Sequence, residues 1–430
     1  MSTDKSVRRA IQIALMTGAA SAFALSPPIF AQDQGVEEEE LLLEEVIVTG
    51  SRIRGSTDDT SVTPVSVFGA EDLDASGAVT LEGFMQSQPF VTGGFQSSRV
   101  NNGNPGQAQI SMRGLGAGRT LVLVDGYRVP PATTGNSVDI NQIPMSSVER
   151  IEVLRDGAST IYGSDAIAGV VNIITKKDFD GMEFRASYDV TDESDGEIYV
   201  ASITTGASSD RGRVVMGMEF TDRREIMQGD RKFSRCPLQE FGGELICSGS
   251  GTSYPGHIFP VESAGDFILD NEVVRPFEPS DGYNFAAVSY MVTPMKLYNF
   301  YGSGQYDLVM DGWTTLTAFT NASFSNRKSQ QQLAAVGTFW SPFVGADHPN
   351  NPLGEDVYVA RRLAENETGR FFTQDVNTYR MIAGLEGNFR NGWTWDMAYN
   401  YARGVDTRVI EGQINQPRVD TVLSPTLCAA

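Results

Sequence analysis

Histidine and cysteine are nearly missing from this chain, with two His and three Cys among 430 residues. His257 and His348 stand far apart in Pro-containing, loop-like stretches, and the cysteine spacing does not suit zinc, so neither a metal centre nor a Ser-His-Asp constellation is expected. Basic residues are also scarce. Lys and Arg number 33 against 54 Asp and Glu, a net charge of −21, which argues against nucleic acid as a partner. Beyond the N-terminal segment, no stretch reaches the roughly 18 unbroken apolar residues of a membrane-spanning helix. A phosphate-cradling loop is lacking too. In "RGLGAGRT" (113–120), Arg113 occupies the position where a P-loop needs Gly, Arg119 replaces its Lys, and a strand rather than a helix follows.

What is present begins with a targeting signal. Lys5, Arg8 and Arg9 precede an apolar run over 10–25, and "PIFAQ" offers a cut after Ala31. This is the pattern of a secretory signal peptide, so the chain is expected to be exported and any membrane span to be β. Cys236 and Cys247 lie close together in a Gly-rich stretch, as a loop-stapling disulfide in an oxidising compartment would. Cys428 is left over.

Four regions follow along the chain: a signal peptide over 1–31, a linker over 32–60, a compact mixed segment over 61–177 and a strand-rich region over 178–430. The linker is acidic, then basic, and holds Glu45-Val46-Ile47-Val48-Thr49, a strand-forming run with nothing nearby in sequence to pair with. Residues 61–177 interleave apolar runs ("TPVSVFG", "TLVLVDGYRV", "RIEVLR", "GVVNIITK") with helix-like pieces ("TLEGFMQSQ", "IPMSSVER", "ASTIYGSDAIA"), which reads as a small α+β domain. From about residue 182 the period becomes two. Tyr298, Phe300, Gly302, Gly304, Tyr306 and Leu308 share one face, as do Tyr379, Met381, Ala383, Leu385, Gly387 and Phe389. A sandwich core prefers bulky aliphatics. A face rich in aromatic and small residues, backed by a polar one, fits an antiparallel transmembrane β-barrel better.

The spacing predicts seven strands, near 183–191, 197–207, 212–222, 296–310, 312–325, 377–389 and 392–404. The second, fourth and sixth are followed by "SSDRG", "DG" and "NG", tight hairpin connections. The third and fifth are followed by long connections, near 223–295 and 326–376. Short turns on one rim and long loops on the other match periplasmic turns and extracellular loops. Single-chain bacterial barrels have an even number of strands. Seven strands and an unpaired Cys428 therefore lead to the expectation that this is the N-terminal part of a larger barrel.

Several pieces carry a family resemblance: "EEVIVTGSR" (44–52), "ISMRGLGAGRTLVLVDGYRV" (110–129) and "IPMSSVERIEVLRDGASTIYGSDAIAGVVNIITKK" (143–177). Together with the alternating strands beyond, they resemble the N-terminus and plug domain of a TonB-dependent outer-membrane receptor. "LRDGAS" stands where siderophore receptors commonly carry "LRGPAS", as in a subgroup often linked to carbohydrates or unidentified nutrients. The resemblance implies an α+β plug filling a 22-strand barrel in the outer membrane of a Gram-negative bacterium, surrounded by lipid. It implies uptake of a scarce nutrient such as an oligosaccharide or a ferric siderophore, with no covalent chemistry, cofactor or metal. TonB, with ExbB and ExbD, would pull on a TonB box at Glu45, Val46, Ile47, Val48 and Thr49, gripping it by strand addition. Arg113 and Arg155 would salt-bridge barrel glutamates beyond residue 430 and lock the plug. The polar loops 93–108 and 128–138 would face substrate, through Arg99, Asn101, Asn102, Asn104, Gln107, Arg128 and Asn136. Three alternatives stand beside this reading: Val46–Thr49 as the first plug strand, a passive outer-membrane channel, or a secreted β-sandwich serving binding or adhesion.

Overall fold

The computed structural model describes residues 65–92, 97–102, 106–131, 137–155, 158–270, 273–311, 314–363, 369–391 and 393–424. The signal peptide, the strand-forming run 45–49, Asn104, Asn136 and Cys428 lie outside the described residues.

Five plug strands, β1 (Val65–Gly69), β2 (Thr120–Val124), β3 (Tyr127–Arg128), β4 (Val148–Leu154) and β5 (Gly169–Thr175), form one sheet in the order β1-β4-β5-β2-β3. Only β2 and β5 are parallel. The inner strands β2 and β5 are near-continuous Val, Ile and Leu because both faces are covered. Alternate side chains serve opposite sides. Val122, Val124, Ile151, Val153, Val171 and Ile173 pack into the larger core with Phe84, Met85, Ile110 and Ile140. Leu121, Leu123, Leu154 and Val170 pack into a smaller one with Val65 and Ala166.

Helix α1 (Ala70–Ala75) follows β1 directly, and α2 (Leu81–Ser87) starts at Thr80, whose hydroxyl caps the first turn by accepting from Gly83 N at 3.1 Å. The helix expected at "IPMSSVER" is a single 3-10 turn, Met145–Ser147, that runs straight into β4. Pro144 starts that turn, and the β-branched residues beyond it favour the strand.

Seven longer strands form a second, antiparallel sheet in strict chain order: β6 (Gly181–Asp189), β7 (Ile198–Ser208), β8 (Gly212–Arg223), β9 (Met295–Asp311), β10 (Thr314–Leu333), β11 (Arg370–Phe389) and β12 (Thr394–Glu411). The tight turns fall after β7, β9 and β11, and the long connections after β8 and β10. These are the first strands of an antiparallel barrel, left open among the described residues. Tyr298, Phe300, Tyr306, Leu308, Tyr379, Met381, Met397 and Tyr399 all stand exposed on its outer face. From Tyr298 to Leu308 is about 34 Å of strand. Tilted by about 40°, that covers about 26 Å, the height of an outer-membrane apolar band.

Three strands run further than expected. β10 continues past 325 to Leu333, β11 begins at Arg370 rather than 377, and β12 continues past 404 to Glu411. Beyond Phe324 the outward positions of β10 turn polar (Asn326, Lys328, Gln330, Gln332), so the apolar alternation ends although the ladder continues. The long connections are not bare loops either. Strand 257–260, from the first, pairs with 357–360, from the second, inside a five-stranded sheet. The first connection also carries a hairpin, 238–241 with 244–247, and Cys236 and Cys247 are joined by a disulfide, Cα–Cα 5.6 Å.

Closing this loop is worth about 3 kcal/mol in the chain-entropy view. Cys236→Ser should therefore make the Phe241–Gly243 tip a preferred site of limited proteolysis in oxidised protein while the seven-stranded sheet stays resistant. Equal cleavage of variant and parent would show that the bond does not hold the hairpin.

Candidate functional site

The inner face of the seven-stranded sheet is polar, and the plug sits against it. Parity decides which side chains meet the plug. On β8 these are Val215, Gly217, Glu219, Thr221 and Arg223; on β10 they are Ser325, Arg327, Ser329 and Gln331. Ionic side chains in such a face must be neutralised and hydrogen-bonded where they are buried.

Two buried ion pairs do this. Glu82, in the first turn of α2, lies 3.5 Å from Arg223, and both side chains are 4% exposed. Glu82 also accepts from Ser97 Oγ and Ser98 N, each at 2.7 Å, and from Ser98 Oγ. Arg223 donates to Ser98 Oγ at 2.8 Å, to Ser98 O at 3.0 Å and to Thr293 O at 3.0 Å. The loop 97–102 is thereby pinned between plug helix and barrel strand. In the second pair, Asp139 stands 2.9 Å from Arg327 and accepts from Ala108 N at 3.0 Å and Asn141 N at 3.1 Å. Arg327 also donates to Ser329 Oγ at 2.7 Å. Gly106 makes room for this pair: its φ is +69°, and a Cβ there would sit 2.5 Å from Arg327 Nη1.

Further polar contacts complete the seam. Glu219 accepts from Ser146 N at 2.9 Å and Met145 N at 3.3 Å, so the 3-10 turn before β4 is held through its backbone. Tyr301 donates to Ser146 O at 3.2 Å, and its ring occupies space that only Gly217 leaves open, since a Cβ at 217 would lie 2.5 Å from it. Asn101 mimics a strand, donating to Gln332 O at 2.7 Å and accepting from Gln332 N at 3.1 Å. Arg380 donates to Val124 O at 3.1 Å, and Asn400 to Arg128 O at 3.2 Å.

The residues singled out from sequence are distributed unevenly around this seam. Arg113 has φ +54° and donates to Ile167 O at 2.9 Å. Arg155 donates to Ser66 Oγ and stands over the Phe90 ring at 5.5 Å. These contacts lie within the plug. In the two buried ion pairs of the described seam, the carboxylates Glu82 and Asp139 are on the plug and the arginines Arg223 and Arg327 on the strands. Asn101 and Asn102 line a cavity of about 570 Å3 together with Tyr290, Phe339, Arg362 and Arg370. Arg99 is exposed beside it, and its carbonyl accepts from Thr293 N at 3.3 Å. Gln107 is 2% exposed, its carboxamide turned toward Gln109 in the plug interior, so burial keeps it from facing a ligand. Arg128 is engaged by Asp165 Oδ2 at 2.6 Å and Tyr162 O at 2.8 Å, at a separate cavity of about 280 Å3.

Arg223, Arg327, Glu82 and Asp139 were not singled out from sequence. One signal for the arginines was available: Arg223 and Arg327 fall in phase with the polar, inward positions of their strands.

Residues 57–170 match the family model for the TonB-dependent Receptor Plug Domain. Among solved structures, the chain is similar to a mutant ferric enterobactin receptor of Pseudomonas aeruginosa in complex with enterobactin, at 14% identity over 81% of this chain and 60% of that one, TM-score 0.40. It is similar to the ferric preacinetobactin receptor BauA of Acinetobacter baumannii, at 12% identity over 84% and 49%, TM-score 0.45. The siderophore receptor PirA of Acinetobacter baumannii matches at 15% identity over 84% and 60%, TM-score 0.37. The chain thus spans between about half and three fifths of the length of these structures.

Stripping one partner from a buried ion pair costs about 3–5 kcal/mol, whereas replacing both by apolar groups costs far less. Glu82→Leu or Arg223→Met alone should loosen the plug and sensitise producing cells to a large antibiotic such as vancomycin. The double replacement should restore most of the resistance. Additive sensitivity in the double variant would show that the two side chains do not act as a pair.

Proposed function

We propose that this chain, which carries a TonB-dependent receptor plug domain over residues 57–170, works as the plug and first barrel strands of an energy-coupled outer-membrane importer. A small nutrient, such as an oligosaccharide or a ferric siderophore, binds between the plug loop 97–102 and the long outer connections. TonB, energised through ExbB and ExbD, then pulls on Glu45–Thr49 and loosens the plug. The observation that carries this reading is the pinned seam. A polar sheet face, whose opposite face suits lipid, is filled by a folded domain held with buried ion pairs. A passive channel has no use for such a filling.

The connectivity of the plug supports a route for the pull. Val65 follows Thr49 by sixteen residues, about 50 Å of chain at full extension. Among the described residues β1 is an edge strand that pairs with β4, and the first described pair a load from residue 49 meets is Val65↔Leu154. An edge strand loaded at one end can open pair by pair, at a lower peak force than simultaneous rupture would need. Strand addition at residues 45–49 supplies the grip, because main-chain hydrogen bonds carry it and a flexible tether delivers it.

Proline removes a backbone donor and locks φ, so Ile47→Pro should break that ladder. In cells producing the receptor, Ile47→Pro should abolish uptake and leave surface binding of the nutrient intact, while Val48→Ala should do far less. Vancomycin sensitivity in Ile47→Pro would mark residues 46–49 as a plug strand instead. Normal uptake would favour passive passage and end the TonB-box assignment.

A further inference from the structure

The cavity beside Asn101 and Asn102 is lined by two arginines, Arg362 and Arg370, that form no ion pair among the described residues. Arg362 is 3% exposed, and its guanidinium carbon lies 4.8 Å from the Tyr283 ring centroid and 5.1 Å from that of Phe339. Arg370 stands over the same Phe339 ring at 5.4 Å. Each is held by one main-chain carbonyl, Arg362 by Ala335 O at 2.8 Å and Arg370 by Ala334 O at 3.0 Å. Among the described residues neither forms an ion pair, and Arg362 Nε is buried without a hydrogen-bond partner.

Of the buried arginines of the seam, Arg223 and Arg327 each face a carboxylate, whereas Arg380, like Arg362 and Arg370, is held by a main-chain carbonyl. Two like charges sharing one aromatic ring oppose each other, and burial adds a desolvation cost. Burial first, and then the neighbouring Arg370 charge, push the Arg362 guanidinium down to about 10. An oxygen anion seated between them would relieve both costs at once. Guanidinium groups held beside aromatic rings are also positioned in advance for a planar carboxylate.

We propose that this cavity is a carboxylate-binding site, in which Arg362 and Arg370 take the acid group of a small, oxygen-rich ligand and Asn102 faces its neutral oxygens. The inference rests on reading the protein as a receptor and narrows its ligand to an anionic one. A volume of about 570 Å3 admits a ligand the size of a short oligosaccharide or a compact chelating acid. Both sources present the same carboxylate chemistry.

The test is equilibrium binding to full-length receptor purified in detergent, with three probes: citrate, trigalacturonate and neutral maltotriose. Binding in detergent does not need TonB, so failure here is distinct from failure of the energy-coupling assignment, which the Ile47→Pro uptake assay reads. Citrate or trigalacturonate should bind and maltotriose should not. A preference for trigalacturonate marks an acidic sugar and the reverse marks a compact chelating acid. Arg370→Gln and Arg362→Gln should each weaken the bound acid by roughly tenfold or more, the worth of one charged hydrogen-bonding partner. Arg370 is only partly buried, so Arg370→Gln keeps the test valid where Arg362→Gln fails to fold. No binding of either acid, equal binding of maltotriose, or unchanged affinity in Arg370→Gln would overturn the proposal.

Discussion

The structure depends on one constraint: a sheet with an apolar outer face must still satisfy the charges on its inner one. Each strand of this sheet alternates between two environments, and the inward row of β8 and β10 carries Glu219, Arg223 and Arg327. Water would satisfy these groups in an open channel. Here the plug does so, through Glu82 and Asp139 and through the backbone amides of Met145 and Ser146. The plug is therefore held less by apolar contact than by polar groups that lose their partners if it leaves.

Such an interface suits a part that must be held and yet released. An apolar seam of the same size, once parted, would expose hydrophobic surface to water and favour aggregation. A polar seam exchanges its partners for water, and the net cost per hydrogen bond is modest. The apolar cores of the plug lie on either side of its own sheet. The edge position of β1 adds a weak point of entry, because among the described residues it is stitched to the sheet along one side only.

On the outer rim, the two long connections build a shared five-stranded sheet. The loop 97–102 reaches this rim from below, anchored by Ser98 on Arg223 and by Asn101 on the main chain of Gln332. A ligand settling on that loop would touch residues that also carry the Glu82–Arg223 pair. Occupancy of the rim and seating of the plug are thus mechanically adjacent, through a run of five residues.

Alternation with period two is a local property. The sequence by itself therefore determined which side chains stand on the exposed outer face, as Tyr298, Phe300, Tyr379 and Met381 do, and where the tight turns fall. The nearness of Cys236 to Cys247 was legible for the same reason. Strand ends were not, because the apolar alternation stops at Phe324 while hydrogen bonding continues to Leu333. The ion pairs were beyond local reading altogether: Glu82 meets Arg223, and Asp139 meets Arg327, from well over a hundred residues away. Gln107 looked like any polar loop residue, and only packing put it inside. Side-chain parity follows from the backbone pleat of a single strand, whereas the partner of a buried charge follows from how two domains meet, and only the tertiary structure decided that.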